Sequence, residues 1–121
     1  KQFFNIKEML PAVGQGVIAA QCRKNDNEIK DILQNISNNE TMVCAAAERE
    51  MLKTIGGDCD TAVGGYANLE SNIIKLKVQL FSDDGKKSFN LELSESKNNY
   101  LKIGREVGEK ILKLAGTAFK K

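Results

Sequence analysis

The sequence has no histidine and no tryptophan, and a single proline, Pro11, in 121 residues. Without histidine the chain lacks the side chain that ordinarily titrates near neutral pH, and a Ser-His-Asp triad within it is excluded. Cysteine is sparse and unpatterned: Cys22, Cys44 and Cys59 form no Cys-x-x-Cys pair. An odd count with no regular spacing argues against a disulfide framework and fits a reducing, cytoplasmic setting. With no histidine to complete a ligand set, no metal site is expected. No run approaches the roughly 20 apolar residues of a membrane helix, and Phe3 and Phe4 do not begin the sustained apolar stretch of a signal peptide. No membrane partner is therefore expected. An excess of one charge is also missing: 18 Lys and Arg stand against 16 Asp and Glu, a net charge of +2, which makes no electrostatic case for nucleic acid. The chain does not begin with methionine, and it is read as a processed product or an expressed fragment.

What is present is an ordinary globular mixture, 41% hydrophobic and 28% charged, enough for one core. Leu10-Pro11-Ala12-Val13-Gly14-Gln15-Gly16 reads as a turn-rich lead-in, followed by a mostly apolar strand over residues 17–22 of the kind covered on both faces. Ile29, Ile32, Leu33 and Ile36 make one stripe on a short helix capped by Asn25 or Asp26. Ser37 to Glu40 has the form of a capping box and opens a helix over 40–55. There Val43, Ala47, Met51 and Ile55 form the core face, Cys44 and Leu52 widen it, and Gly56-Gly57 ends it. Residues 61–69 read as a first strand. In a second, Ile74, Leu76, Val78 and Leu80 alternate with Lys75, Lys77 and Gln79, and Asp83-Asp84-Gly85 turns the chain. Phe89, Leu91 and Leu93 mark a third strand. A helix over 98–115 presents Leu101, Gly104, Val107, Gly108, Ile111 and Ala115. Its two glycines, each about 1 kcal/mol worse than alanine in a helix, point to close packing. The expected fold is α+β: a three-stranded antiparallel sheet covered by helices on one face, in the order α-β-β-β-α. Residues 1–37 stand apart, as a strand and a helix without a sheet of their own.

The stretch from Gly56 to Ala67 places Cys59 in a glycine-flanked loop between helix and strand. Glycines let such a loop turn sharply and leave the sulfur accessible. Asp58 and Asp60 would raise the thiol pKa, which argues against a protease-like nucleophile and suits a stable covalent anchor; a loop cysteine without a role is the alternative. By themselves Arg23 and Arg49 read as ordinary surface ion-pairing residues, Arg49 with Glu48 or Glu50. Gln15 reads as a turn amide.

Leu10 to Gly16, Gln21-Cys22-Arg23, Ala47-Glu48-Arg49, and Gly57-Asp58-Cys59 through Gly64-Gly65-Tyr66-Ala67 together resemble the C-terminal portion of hydroxymethylbilane synthase (porphobilinogen deaminase), in that family's order and spacing. The motifs span about residues 10–70; beyond that the resemblance rests on the order of elements. Two positions depart from the family: Asp58 replaces a glycine and Ala62 a proline. The resemblance implies that Cys59 carries a dipyrromethane cofactor through a thioether. It also implies a transferase that adds four porphobilinogen units to this primer, with loss of ammonia, and releases the linear tetrapyrrole by hydrolysis, in haem biosynthesis. Gln15, Arg23 and Arg49 would contact the cofactor, and Arg23 and Arg49 the carboxylates of the growing pyrrole chain, since arginine forks bind carboxylates at two points. Glu48 is expected to be a structural partner. The family's acid catalyst is an aspartate of the N-terminal domain, so no catalytic residue is assigned here. Residues 1–38 would be a returning segment of the family's first domain, and 39–121 the cofactor-anchoring domain.

On this reading the 121 residues alone are expected to be inactive, with no dipyrromethane on Cys59, and to self-associate through residues 12–22, whose strand lacks its sheet. Two other classes remain open. The order α-β-β-β-α is also that of double-stranded RNA-binding domains, and Lys110, Lys113, Lys120 and Lys121 could invite RNA, although Lys97 and Lys102 make only a thin basic cluster at the last helix's start. A non-catalytic interaction domain is the other.

Overall fold

The computed structural model describes residues 1–57 and 60–117. Its order of elements is α1 (Asn27–Ile36), α2 (Asn39–Ile55), β1 (Val63–Glu70), β2 (Ile73–Phe81), β3 (Ser88–Ser96), a 3-10 turn (Lys97–Asn99) and α3 (Tyr100–Ala115). The strands form one antiparallel sheet in the order β1-β2-β3. Helices α2 and α3 pack against each other and cover one face of it. The expected α+β arrangement is present.

Strict alternation makes β2 the centre of the core. Ile74, Leu76, Val78 and Leu80 are buried, while Lys75, Lys77 and Gln79 lie on the other face. Burying each such side chain contributes about 1.5–3 kcal/mol. Val43, Ala47, Met51 and Ile55 of α2 meet this row as their four-residue spacing requires. In α3 the register differs from expectation at one position: Ile103 is buried and Leu101 is exposed. Gly104 and Gly108 instead set which face of α3 meets α2. A Cβ on Gly104 would lie 2.6 Å from the carbonyl oxygen of Ala47, and one on Gly108 2.7 Å from Cβ of Thr54. The two helix backbones approach closely only because both positions are glycine.

The helix ends follow local chemistry. The Asp26 side chain caps α1 by accepting from the Ile29 N–H at 3.1 Å. Asn38, and not Ser37, caps α2, accepting from the Thr41 N–H at 2.9 Å. Only two residues join these helices, and Ser37 is used to close α1, its N–H donating to the Gln34 carbonyl at 3.4 Å. Gly56, at φ +70°, ends α2 in the left-handed region where glycine carries no steric cost.

Two expectations for the N-terminal part change. Residues 17–22 form no strand, and Ile18 is 100% exposed. A strand needs a partner as well as apolar residues, and this run pairs with none of the described strands. No residue of α1 is buried, so the stripe Ile29, Ile32 and Ile36 remains exposed. Conversely, the N-terminal part does not all stand apart, because residues 10–14 dock on the outer edge of β1.

Candidate functional site

Strand β1 is an edge strand, and an unprotected edge offers unpaired backbone groups to any passing chain. The segment from Leu10 to Gly14 closes this edge. Ala12 bridges to Gly64, and the Gly65 N–H donates to the Pro11 carbonyl at 3.0 Å. The segment wraps around the strand. A Cβ on Gly64 would lie 3.1 Å from Cβ of Leu10. One on Gly65, on the core face, would lie 2.6 Å from Cε of Met51 and 3.0 Å from Cγ2 of Val13. Gly64 and Gly65 thus lie directly against Leu10-Pro11-Ala12-Val13, and two motifs far apart in sequence form one structural unit.

Glu48 ties the same unit to α2. It is 7% exposed, and its carboxylate accepts from the Gly14 N–H at 2.9 Å and from the Ala67 N–H at 3.1 Å. It is a structural partner, as expected. Burial pushes its carboxyl up from the ordinary glutamate value, against the pull of the two N–H donors. A carboxyl whose folded pKa is raised holds its proton more tightly when folded. Its contribution to stability is therefore full below the unfolded value and is lost as pH rises through the window up to the folded value. The stability of the wild type relative to Glu48→Gln is expected to fall as pH rises above the ordinary glutamate range. Urea unfolding of both proteins across that rise checks this; a difference that stays flat or rises with pH would contradict it.

The predicted contact residues surround this unit. Gln15 is exposed between Gly14 and Gly16, whose φ angles are +72° and +81°. Its Oε1 accepts from the Ala12 N–H at 3.2 Å, so one end of the amide closes the turn. Arg49 follows Glu48 on α2 and is exposed. Neither carboxylate that could have neutralised it does so: Glu48 is occupied by backbone, and Glu50 pairs with Arg105 at 3.4 Å. Among the described residues Arg49 and Arg23 form no ion pair. Arg23 is exposed in the turn leading to α1, and its carbonyl accepts from the Asp26 N–H at 3.2 Å.

Cys59 and Asp58 lie outside the described residues. The flanks of their loop lie close together: a Cβ on Gly57 would lie 3.3 Å from Cβ of Thr61. Cys44 is a poor alternative as a reactive sulfur, because burial raises its thiol pKa and Glu48 and Glu40 raise it further. Among the described residues no cluster of His, Cys, Asp and Glu could hold a metal, and no helix is long and apolar enough to cross a membrane. An open concavity of about 380 Å³ lies on the other sheet face, beside Lys77, Asn90 and Glu92. Two of its facing charges pair, Lys77 to Glu92 at 3.1 Å, and of the motif residues Leu10 alone lines it. Lys102, at the start of α3, pairs with Glu95 at 3.9 Å and Glu106 at 3.8 Å.

Comparison with known proteins agrees with the motifs. Residues 42–113 match the family model described as porphobilinogen deaminase, C-terminal domain, and residues 1–31 match porphobilinogen deaminase, dipyromethane cofactor binding domain. The porphobilinogen deaminase of Staphylococcus carnosus is 34% identical over 116 residues, covering 95% of this chain and 37% of the relative. That of Listeria monocytogenes serotype 4a is 38% identical over 103 residues, covering 85% and 33%. That of Desulforamulus reducens is 34% identical over 107 residues, covering 88% and 35%. The chain thus spans about a third of the length of the curated relatives it matches.

Proposed function

The chain belongs to the porphobilinogen deaminase family, and on that premise we propose that it forms the cofactor-anchoring part of a transferase that joins four porphobilinogen units into hydroxymethylbilane. The observation that carries this reading is the convergence of the segment 10–16, Glu48-Arg49 and Gly64-Gly65 at the start of the strand that follows Cys59. Cys59 is the proposed covalent anchor of a dipyrromethane. That group supplies the primer on which the pyrrole chain is extended.

The residues present fit such a group. Its rings bear carboxylates, and Arg49 is an exposed guanidinium whose acidic neighbours are already engaged. A two-point guanidinium–carboxylate contact is worth about 1.5–3 kcal/mol. Arg23 is proposed as the second such cation. Gln15, with its oxygen turned inward to Ala12, has its amide NH₂ left to donate. The proposed division into residues 1–38, a part of a first domain, and 39–121, the anchoring domain, is supported by two separate family models, one matching up to residue 31 and the other from residue 42.

Intact-mass spectrometry tests the anchor. A full-length family enzyme carrying these residues should gain the mass of a dipyrromethane. Cys59→Ala should abolish the adduct, whereas Cys44→Ala should retain it. The 121-residue chain expressed alone should show the bare mass and no turnover of porphobilinogen. An adduct that persists in Cys59→Ala would refute the assignment.

A further inference from the structure

The segment 10–16 has two kinds of attachment to the rest of the chain. The bridge of Ala12 to Gly64 and the bond from the Gly65 N–H to the Pro11 carbonyl hold its first half. Beyond Ala12 the long-range hydrogen bond is the one from the Gly14 N–H to Glu48, immediately before Gln15. Gly14 and Gly16 both occupy the left-handed region, so Gln15 sits between two joints that glycine leaves permissive. Glu48 fixes the first of them, and its other oxygen holds Ala67 of β1. Three elements thereby meet on one buried carboxylate, which no cation neutralises among the described residues. A buried apolar side chain would fill this space at lower desolvation cost. What the carboxylate adds is direction: two acceptors that hold two backbone segments in fixed relation.

We propose that Glu48 is a positioning residue, latching segment 10–16 to α2 and β1 so that Gln15 and Arg49 meet the pyrrole chain from fixed places. The role in binding rests on the function proposed above; the latch itself does not. Glutamine has the same shape but one acceptor oxygen, and it turns an NH₂ toward the other N–H. Glu48→Gln must therefore lose one bond, and Glu48→Ala loses both.

Amide hydrogen exchange followed by NMR on the 121-residue chain tests the latch. In Glu48→Gln, the Gly14 or the Ala67 amide should exchange at least about 10-fold faster, and in Glu48→Ala both should, while β2 amides keep their wild-type rates. Unchanged exchange at Gly14 in Glu48→Ala would overturn the latch. If Glu48→Ala fails to fold, unchanged exchange at both amides in Glu48→Gln overturns it instead. In a full-length enzyme carrying these residues, Glu48→Gln should raise the KM for porphobilinogen about 10-fold with kcat nearly preserved, the mark of a displaced binding group. A lower kcat at unchanged KM would mean only that less enzyme is folded, and would overturn the positioning role. Absence of turnover in the wild-type enzyme would overturn the function reading, and the exchange rates would still judge the latch.

Discussion

Gly104→Val is expected to destabilise the chain by about 3 kcal/mol, the upper part of the range for overpacking a well-filled interface. The collision is with backbone. The added Cβ would lie 2.6 Å from the Ala47 carbonyl oxygen, 3.0 Å from Cβ of Glu50 and 3.2 Å from the Met51 nitrogen. None of these can rotate away, so α2 and α3 must separate. Separation uncovers Met51, Ile103, Val107 and Ile111, all fully buried. Helix propensity points the other way, since alanine is favoured over glycine by about 1 kcal/mol in a helix. Gly104→Ala therefore makes the sharper test. If close approach governs, alanine lowers stability in urea unfolding; if propensity governs, it raises stability, and the tight helix contact is wrong.

Arg49→Leu is expected to lower kcat/KM of a full-length enzyme carrying these residues roughly 10- to 150-fold, the loss of one charge-assisted carboxylate contact. Folding should be unaffected, because Arg49 is exposed and forms no ion pair among the described residues. Arg49→Lys keeps the charge but not the fork, and should fall between leucine and wild type. Arg105→Leu supplies the control. Arg105 already pairs with Glu50, and a surface pair of that kind is worth 0–1 kcal/mol, so activity should stay near wild type. Steady-state kinetics on the three variants decide. Equal losses from Arg49→Leu and Arg105→Leu would reduce Arg49 to an ordinary surface charge.

Several local features were legible because their causes are local. The period-two alternation of Ile74 to Leu80 and the four-residue repeat of Val43 to Ile55 each specify one buried face, and both faces are buried. The cost of two glycines in a helix signalled a compensating contact, and α2 supplies it at Gly104 and Gly108. Glu48 was legible only as a polar residue beside a buried stripe. Its partners are 34 and 19 residues away, and no spacing rule reaches so far. The apolar run at 17–22 gave a strand signal that the structure does not follow, since a strand needs a partner as well as a propensity. The choice of Asn38 over Ser37 as cap, and of Ile103 over Leu101 in the core, depended on where neighbouring elements ended and met.

The sequence alone therefore determined the order of elements from α1 onward, the buried faces of α2 and β2, and the motifs that carry the family resemblance, because periodicity and glycine chemistry act within a few residues. Tertiary structure alone decided that Leu10 to Gly14 closes the edge of β1, that Gly64 and Gly65 make room for it, and that Glu48 fastens both. It also decided that Arg49 is left without a carboxylate among the described residues. These are matters of which backbone groups and charges remain unsatisfied once the sheet has formed, and that is settled only when distant segments compete for the same edge.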